Sequence, residues 1–269
     1  MEYIPNWFTV RDMGSNVWAI DDAGHDTMYL VLGKTKALLV DTGFGIGDLQ
    51  GLVASLTPLP VIVVNTHGHP DHVGGNYQFE AVHIVRADIP MLHGCFGQQS
   101  RHWILKNLLG DTPLPKAFQE FWLTRKPQTI IPISAGHTFD LGERTIRVIE
   151  IPGHTRGCIA LLDENEKLLF TGDSIMAGTA WLHLQESTPL NKFLESMNRL
   201  KTWMNQFDHI IPAHDIAPLP KITVTELCEG IPGILEGRIK GEFHRTFAGN
   251  GLYYKFDHCG IVYRENHLK

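Results

Sequence analysis

The sequence predicts a layered α/β fold. Short runs of Val, Ile and Leu bounded by turn residues have the length of buried strands, and amphipathic helical patterns fall between them. Two strand endings also echo one another: Ala37-Leu38-Leu39-Val40-Asp41-Thr42-Gly43 and Lys167-Leu168-Leu169-Phe170-Thr171-Gly172-Asp173. Each is an apolar strand that runs into a Gly turn beside an acid, as a fold of two related halves would produce.

In chain order, strands are expected at residues 16–20, 27–32, 37–40 and 61–64, then at 145–151, 159–162, 168–170 and 209–211. A helix is expected at residues 47–55. A longer one is marked by Leu190, Phe193, Leu194, Met197, Leu200 and Met204, whose spacing puts them on one helical face. Residues 222–229 predict a third helix, interrupted near Pro232 because proline lacks the amide hydrogen that continues a helix. Residues 92–128 break this rhythm, with no strand pattern and with Phe96, His102, Trp103, Phe118, Phe121 and Trp122. So many aromatics must bury against something. The segment reads as an inserted, partly helical excursion, either a satellite packed on the rim or a lid or wall of the substrate pocket.

The chain has 269 residues, 43% hydrophobic and 19% charged, which suits one globular domain spanning residues 1–269 with an insertion. A net charge of -6 supplies no basic footprint for nucleic acid or acidic lipid. Cys95, Cys158, Cys228 and Cys259 are widely spaced, without a Cys-x-x-Cys pair, and read as buried thiols of a reducing compartment. The first residues have neither a basic start nor an apolar leader, and no apolar run approaches the roughly 18 residues of a membrane helix. The expectation is a cytoplasmic protein acting on a small molecule, without nucleic-acid or membrane partners.

The chemistry concentrates where strands end. Residues 61–64 release Thr66-His67-Gly68-His69-Pro70-Asp71-His72 in one tight loop. Residues 149–151 release His154, residues 168–170 release Asp173, and residues 209–211 release His214. Strands of one sheet system that each end in an imidazole or carboxylate point those groups at a common edge. Zinc takes His nitrogen and carboxylate oxygen, and a catalytic zinc keeps one position open for water. Five imidazoles and two carboxylates exceed what one catalytic ion needs and suit two ions about 3.5–4 Å apart. A packed loop has no other use for three histidines and an aspartate within six residues, because burying them unpaired is costly.

The pattern His67-x-His69-x-Asp71-His72, followed by Gly74-Gly75-Asn76 and preceded by Asp41-Thr42-Gly43, resembles the metallo-β-lactamase fold superfamily. The resemblance runs from about Trp18 to His214. It implies a four-layer αββα sandwich with metals at one edge of its two sheets. It also implies that His67, His69 and His154 hold a first metal, that Asp71, His72 and His214 hold a second, and that Asp173 bridges them. Asp41 matches an acid behind the ligands, although a strand-end turn cap would account for it equally. The implied cofactors are two divalent metal ions, zinc first, with iron or manganese as alternatives.

The implied reaction is hydrolysis by a hydroxide held between the metals, with Asp71 both ligating and assisting proton transfer. Asp173 stands where the best-known zinc β-lactamases carry cysteine, which points to a thioester, lactone or other ester, as in glyoxalase II and the lactonases. The alternatives are an iron-dependent oxidoreductase of the persulfide dioxygenase type and a phosphodiesterase. Candidate substrate contacts are His183, Trp103 and Phe96. His244, Tyr253, Tyr254 and His258 belong to a C-terminal segment that the sequence does not place. His137 reads as a turn residue and Cys158 as core.

Overall fold

The structure is a computed structural model that describes residues 3–110, 112–214 and 218–269. It divides into two compact units, Met1–Ile133 with Leu141–Glu143, and Ser134–Asp140 with Arg144–Lys269.

The first unit opens with β1 (Phe8–Asp12), β2 (Val17–Asp22), β3 (Thr27–Leu32) and β4 (Ala37–Val40), followed by α1 (Leu49–Leu56) and β5 (Val61–Val64). The short helix α2 (Pro70–Val73) and β6 (Ala81–Val85) come next, then α3 (Ile89–Cys95), α4 (Gln98–Asn107), α5 (Lys116–Leu123) and β7 (Thr129–Ile133). The seven strands form one sheet in chain order, antiparallel from β1 to β4 and parallel from β4 to β7. At the change of sense, β4 is buried along its whole length, the uniform apolarity expected of a strand covered on both faces. The edges are defended. β1 exposes Arg11 and Asp12, and β7 carries Pro132, a residue that sheets confine to their edges.

Three aromatics of residues 92–128, Phe96, Phe118 and Trp122, bury within this unit, whereas Trp103 stays exposed. Phe96, Ile104, Phe118 and Trp122 share a core with Trp7, Phe44, Tyr77 and Leu92. At its centre lies Arg101, 1% exposed, with its guanidinium 4.1 Å from the Trp122 ring and 4.5 Å from that of Phe96. It donates to the Trp122 carbonyl, and burial lowers its pKa to about 10.

In the second unit β8 (Thr138–Asp140), β9 (Thr145–Glu150), β10 (Ile159–Asp163) and β11 (Leu168–Gly172) precede β12 (Ala180–Leu182), α6 (Leu190–Lys201) and β13 (His209–Pro212). After these come β14 (Leu219–Pro220), α7 (Ile222–Leu235), β15 (Glu242–Thr246), β16 (Gly249–Lys255) and β17 (Gly260–Tyr263). One sheet has the order β14-β13-β11-β10-β9-β8, and a smaller one the order β12-β17-β16-β15. Helix α6 turns Leu190, Phe193, Met197 and Leu200 inward, as its spacing requires, and packs on α7 over a core that includes Ile151, Leu162, Phe207 and Ile231.

Every anticipated strand is present, with ends shifted by two residues at most. The interruption near Pro232 is corrected: α7 runs through Pro232 to Leu235. The missing amide falls in the last turns, where Ile231 and Ile234 are anchored in the core and the Pro232 carbonyl accepts the Glu236 amide at 3.0 Å. No helix among the described residues is long and apolar enough to cross a membrane.

Candidate metal centre

In the first unit the donors hang on the ends of parallel strands. β4 ends at Asp41, whose φ of +63° lies in the left-handed region that Asp tolerates better than most residues. That twist brings its carboxylate, 1% exposed, under the histidine loop. Oδ1 accepts the Thr66 amide at 2.8 Å, and Oδ2 accepts the Thr66 hydroxyl at 2.7 Å and lies 3.0 Å from His72 Nδ1.

These contacts determine tautomers. Thr66 has one hydroxyl proton and gives it to Asp41, so its oxygen is left to accept from His67 Nδ1 at 3.1 Å. His67 and His72 therefore donate from Nδ1, and as neutral rings they present an unprotonated Nε2. His67 Nε2 lies 3.0 Å from His69 Nδ1, and His72 Nε2 lies 3.8 Å from Asp71 Oδ2.

The loop is held from several directions. Asp88, 1% exposed, accepts the Gly68 amide at 2.9 Å, and the Cys95 thiol donates to the Gly68 carbonyl at 3.2 Å. Asn65 and Asn76, both fully buried, exchange amide hydrogen bonds, and Asn65 also donates to the His72 carbonyl at 2.9 Å. The Gly74-Gly75 pair has a steric reason. A Cβ on Gly75 would stand 2.2 Å from the Thr42 carbonyl oxygen, and one on Gly74 would stand 2.5 Å from that of Phe44. Asp26, 2% exposed, places Oδ1 3.8 Å from His72 Nδ1.

In the second unit His154 follows β9, Asp173 ends the turn after β11, and His214 follows β13. The His154 Nδ1 proton goes to the Trp181 carbonyl at 2.7 Å, which leaves its Nε2 unprotonated 3.4 Å from Asp173 Oδ2. His214 Nε2 stands 3.3 Å from the other Asp173 oxygen. Cys158, buried as expected, accepts the Thr155 amide at 3.2 Å and so braces the residue next to His154.

Each unit thus directs imidazole lone pairs toward carboxylate oxygens, at separations too long for good hydrogen bonds. Acceptor facing acceptor is unfavourable in a low-dielectric pocket unless a cation lies between them. Nitrogen and carboxylate donors with fixed tautomers are the chemistry of zinc and similar divalent ions. Among the described residues, the His/Asp groups that could hold a metal draw on His67, His69, His72, His154, Asp173 and His214, and also on Asp26.

The sequence reading missed Asp26 and Asp88. Asp88 repeats the pattern of an acid just beyond a strand end, here β6, and that signal could have found it. Asp26 sits in a tight turn before β3 with no distinguishing pattern. The remaining candidates disperse. Phe96 is 5% exposed in the core of the helical segment, and Trp103 on α4 is 47% exposed. His183 follows β12 and is buried; the rings of His244 on β15 and Tyr253 on β16 meet at 5.4 Å. Tyr254 packs on Phe256, and His258 is tied to Glu226 of α7. His137 caps a turn by bonding the Ser134 carbonyl.

Several known proteins are similar to this chain. Acyl-coenzyme A thioesterase MBLAC2 of Homo sapiens is 28% identical over 195 residues, 65% of this chain and 70% of that protein. Hydroxyacylglutathione hydrolase of Synechococcus sp. (strain JA-3-3Ab) is 30% identical over 141 residues, 52% of this chain and 44% of that enzyme. The solved structure of a metallo-beta-lactamase family protein from Thermus thermophilus superposes with a TM-score of 0.57 at 25% identity, covering 79% of this chain and 76% of that one. A family model described as Metallo-beta-lactamase superfamily matches residues 21–211, a span that holds all the strand-end donors but His214, and the chain belongs to that superfamily.

Proposed function

We propose that this protein is a metal-dependent thioester hydrolase. His67, His69 and His154 would hold one divalent ion, and Asp71, His72 and His214 a second, with Asp173 shared. The observation that carries the proposal is the set of imidazoles whose Nδ1 atoms are engaged by Thr66, Asp41 and Trp181, which turns Nε2 of His72 and His154 toward carboxylates and that of His67 toward His69. The thioester part rests on the curated relatives, an acyl-coenzyme A thioesterase and a hydroxyacylglutathione hydrolase among them.

Divalent ions at such donors bring the pKa of water toward about 7 and polarise a carbonyl. The chain's own groups do the rest. Asp41 keeps His67 and His72 in the ligating tautomer, the first through Thr66. The Trp181 carbonyl does the same for His154. Asp71, with its side chain 23% exposed, is the carboxylate placed to hold the nucleophile's proton and return it to the leaving thiol.

The test is a hydrolysis panel of thioesters, lactones, phosphodiesters and a β-lactam on protein of measured metal content. Turnover of thioesters first, lost in a folded Asp173→Ala variant, is the expected result. Full turnover by a folded, metal-loaded Asp173→Ala protein removes Asp173 from the site. One iron per chain with oxygen consumption replaces hydrolysis by the dioxygenase alternative.

A further inference from the structure

Strand β12 is three residues long and alternates sharply. Ala180 and Leu182 are 1% and 2% exposed and lie in the core of the second unit, so the pleat turns Trp181 to the opposite, outward face. The backbone carbonyl of Trp181 is the acceptor that orients His154, at 2.7 Å. Its indole meets the ring of Phe247 edge to face at 5.0 Å.

Phe247 sits in the turn between β15 and β16 and is 70% exposed; Phe243, on the same hairpin, is 68% exposed. The turn is nonetheless fixed. Thr246 donates its hydroxyl proton to the Gly249 carbonyl at 2.8 Å, so the bond at 3.0 Å between Thr246 Oγ1 and His183 Nε2 must be donated by His183. His183 therefore carries a proton on Nε2, and burial together with Arg264 and His244 lowers its pKa, which favours the neutral ring. The hairpin also needs Gly251, where a Cβ would stand 3.1 Å from that of His183. A half-buried Trp181 and an exposed Phe247 are thus locked together one hydrogen bond from His154, and apolar surface so placed marks a ligand contact.

We propose that Trp181 and Phe247 form an acyl-binding ledge, which receives the apolar chain of the substrate while His183 fixes the hairpin that carries Phe247. The occupant is the acyl chain rather than its carrier because thioester carriers are polar, whereas both ledge surfaces are aromatic. The inference rests on the thioester reading and adds a preference for long, unbranched acyl groups.

The experiment compares acetyl, octanoyl and palmitoyl thioesters of one carrier on metal-loaded wild type, Phe247→Ala and, as a control of equal exposure, Phe243→Ala. In the wild type, kcat/KM should rise with chain length, chiefly through KM. Phe247→Ala should lower the palmitoyl-to-acetyl ratio about tenfold, and Phe243→Ala should leave it near the wild-type value. A ratio unchanged in Phe247→Ala, or a wild type indifferent to chain length, overturns the ledge. If no thioester is hydrolysed at any length, the thioester reading fails by itself. The ledge is then judged by binding of a palmityl thioether: affinity above that of the methyl thioether and lost in Phe247→Ala upholds it, and equal affinities overturn it.

Discussion

Asp41 shows how much one residue can determine. Its carboxylate accepts from the Thr66 amide, the Thr66 hydroxyl and His72, and through them sets which nitrogen of His67 and His72 is unprotonated. Asp41→Asn preserves tolerance of the left-handed backbone but turns an amide donor toward one of these partners. The variant should stay folded and bind metal about 10–100-fold more weakly, read by competition with a chromophoric chelator. Asp22 is buried, accepts the Phe44 amide at 2.7 Å and the Trp7 indole N–H, and is pushed by burial from 3.8 to about 7. Its folded-state pKa is the higher one, so between pH 3.8 and about 7 the folded chain binds more protons than the unfolded. Stability from this group is greatest at the acid end of that window and is lost as pH rises through it. Denaturant melts across the window should show Asp22→Asn losing less stability with rising pH than wild type.

At the scale of elements, the helices α3 to α5 are part of the core of the first unit. Trp122 is 1% exposed, donates its indole N–H to the Phe44 carbonyl at 2.9 Å and stacks under Arg101. Trp122→Ala should cost about 3–5 kcal/mol in urea unfolding, the range for a large buried aromatic. An unchanged midpoint would show that the segment packs independently of the sheet. The sequence placed these helices as a group, because their aromatics demanded burial, but not what they bury against. Strands β6 and β7 were missed because His83 interrupts the apolar run of one and Pro132 that of the other, and only pairing with β5 and with each other reveals them. β15 and β16 escaped notice for a similar reason: glycines and an exposed surface erase the alternation that marks a half-buried strand.

For the whole molecule, a cation bound at the proposed donors should stabilise the folded chain against unfolding. Dialysis against a chelator is predicted to abolish hydrolysis and lower the thermal midpoint, with zinc restoring both. At free metal about 100 times its dissociation constant the stabilisation is about 2.7 kcal/mol. A midpoint indifferent to metal would refute the proposed metal centre. The proposed donors could be named from the sequence alone, because His67, His69, Asp71, His72, His154, Asp173 and His214 all follow apolar strands, and a strand end is a local signal. The superfamily was legible for the same reason. Only the tertiary structure decided the tautomers, the clamp on Gly68 and the ledge. Each depends on partners far apart in the chain, such as Trp181 with His154, Asp88 with Gly68, and Phe247 with Trp181, and no local pattern encodes a contact that folding alone brings about.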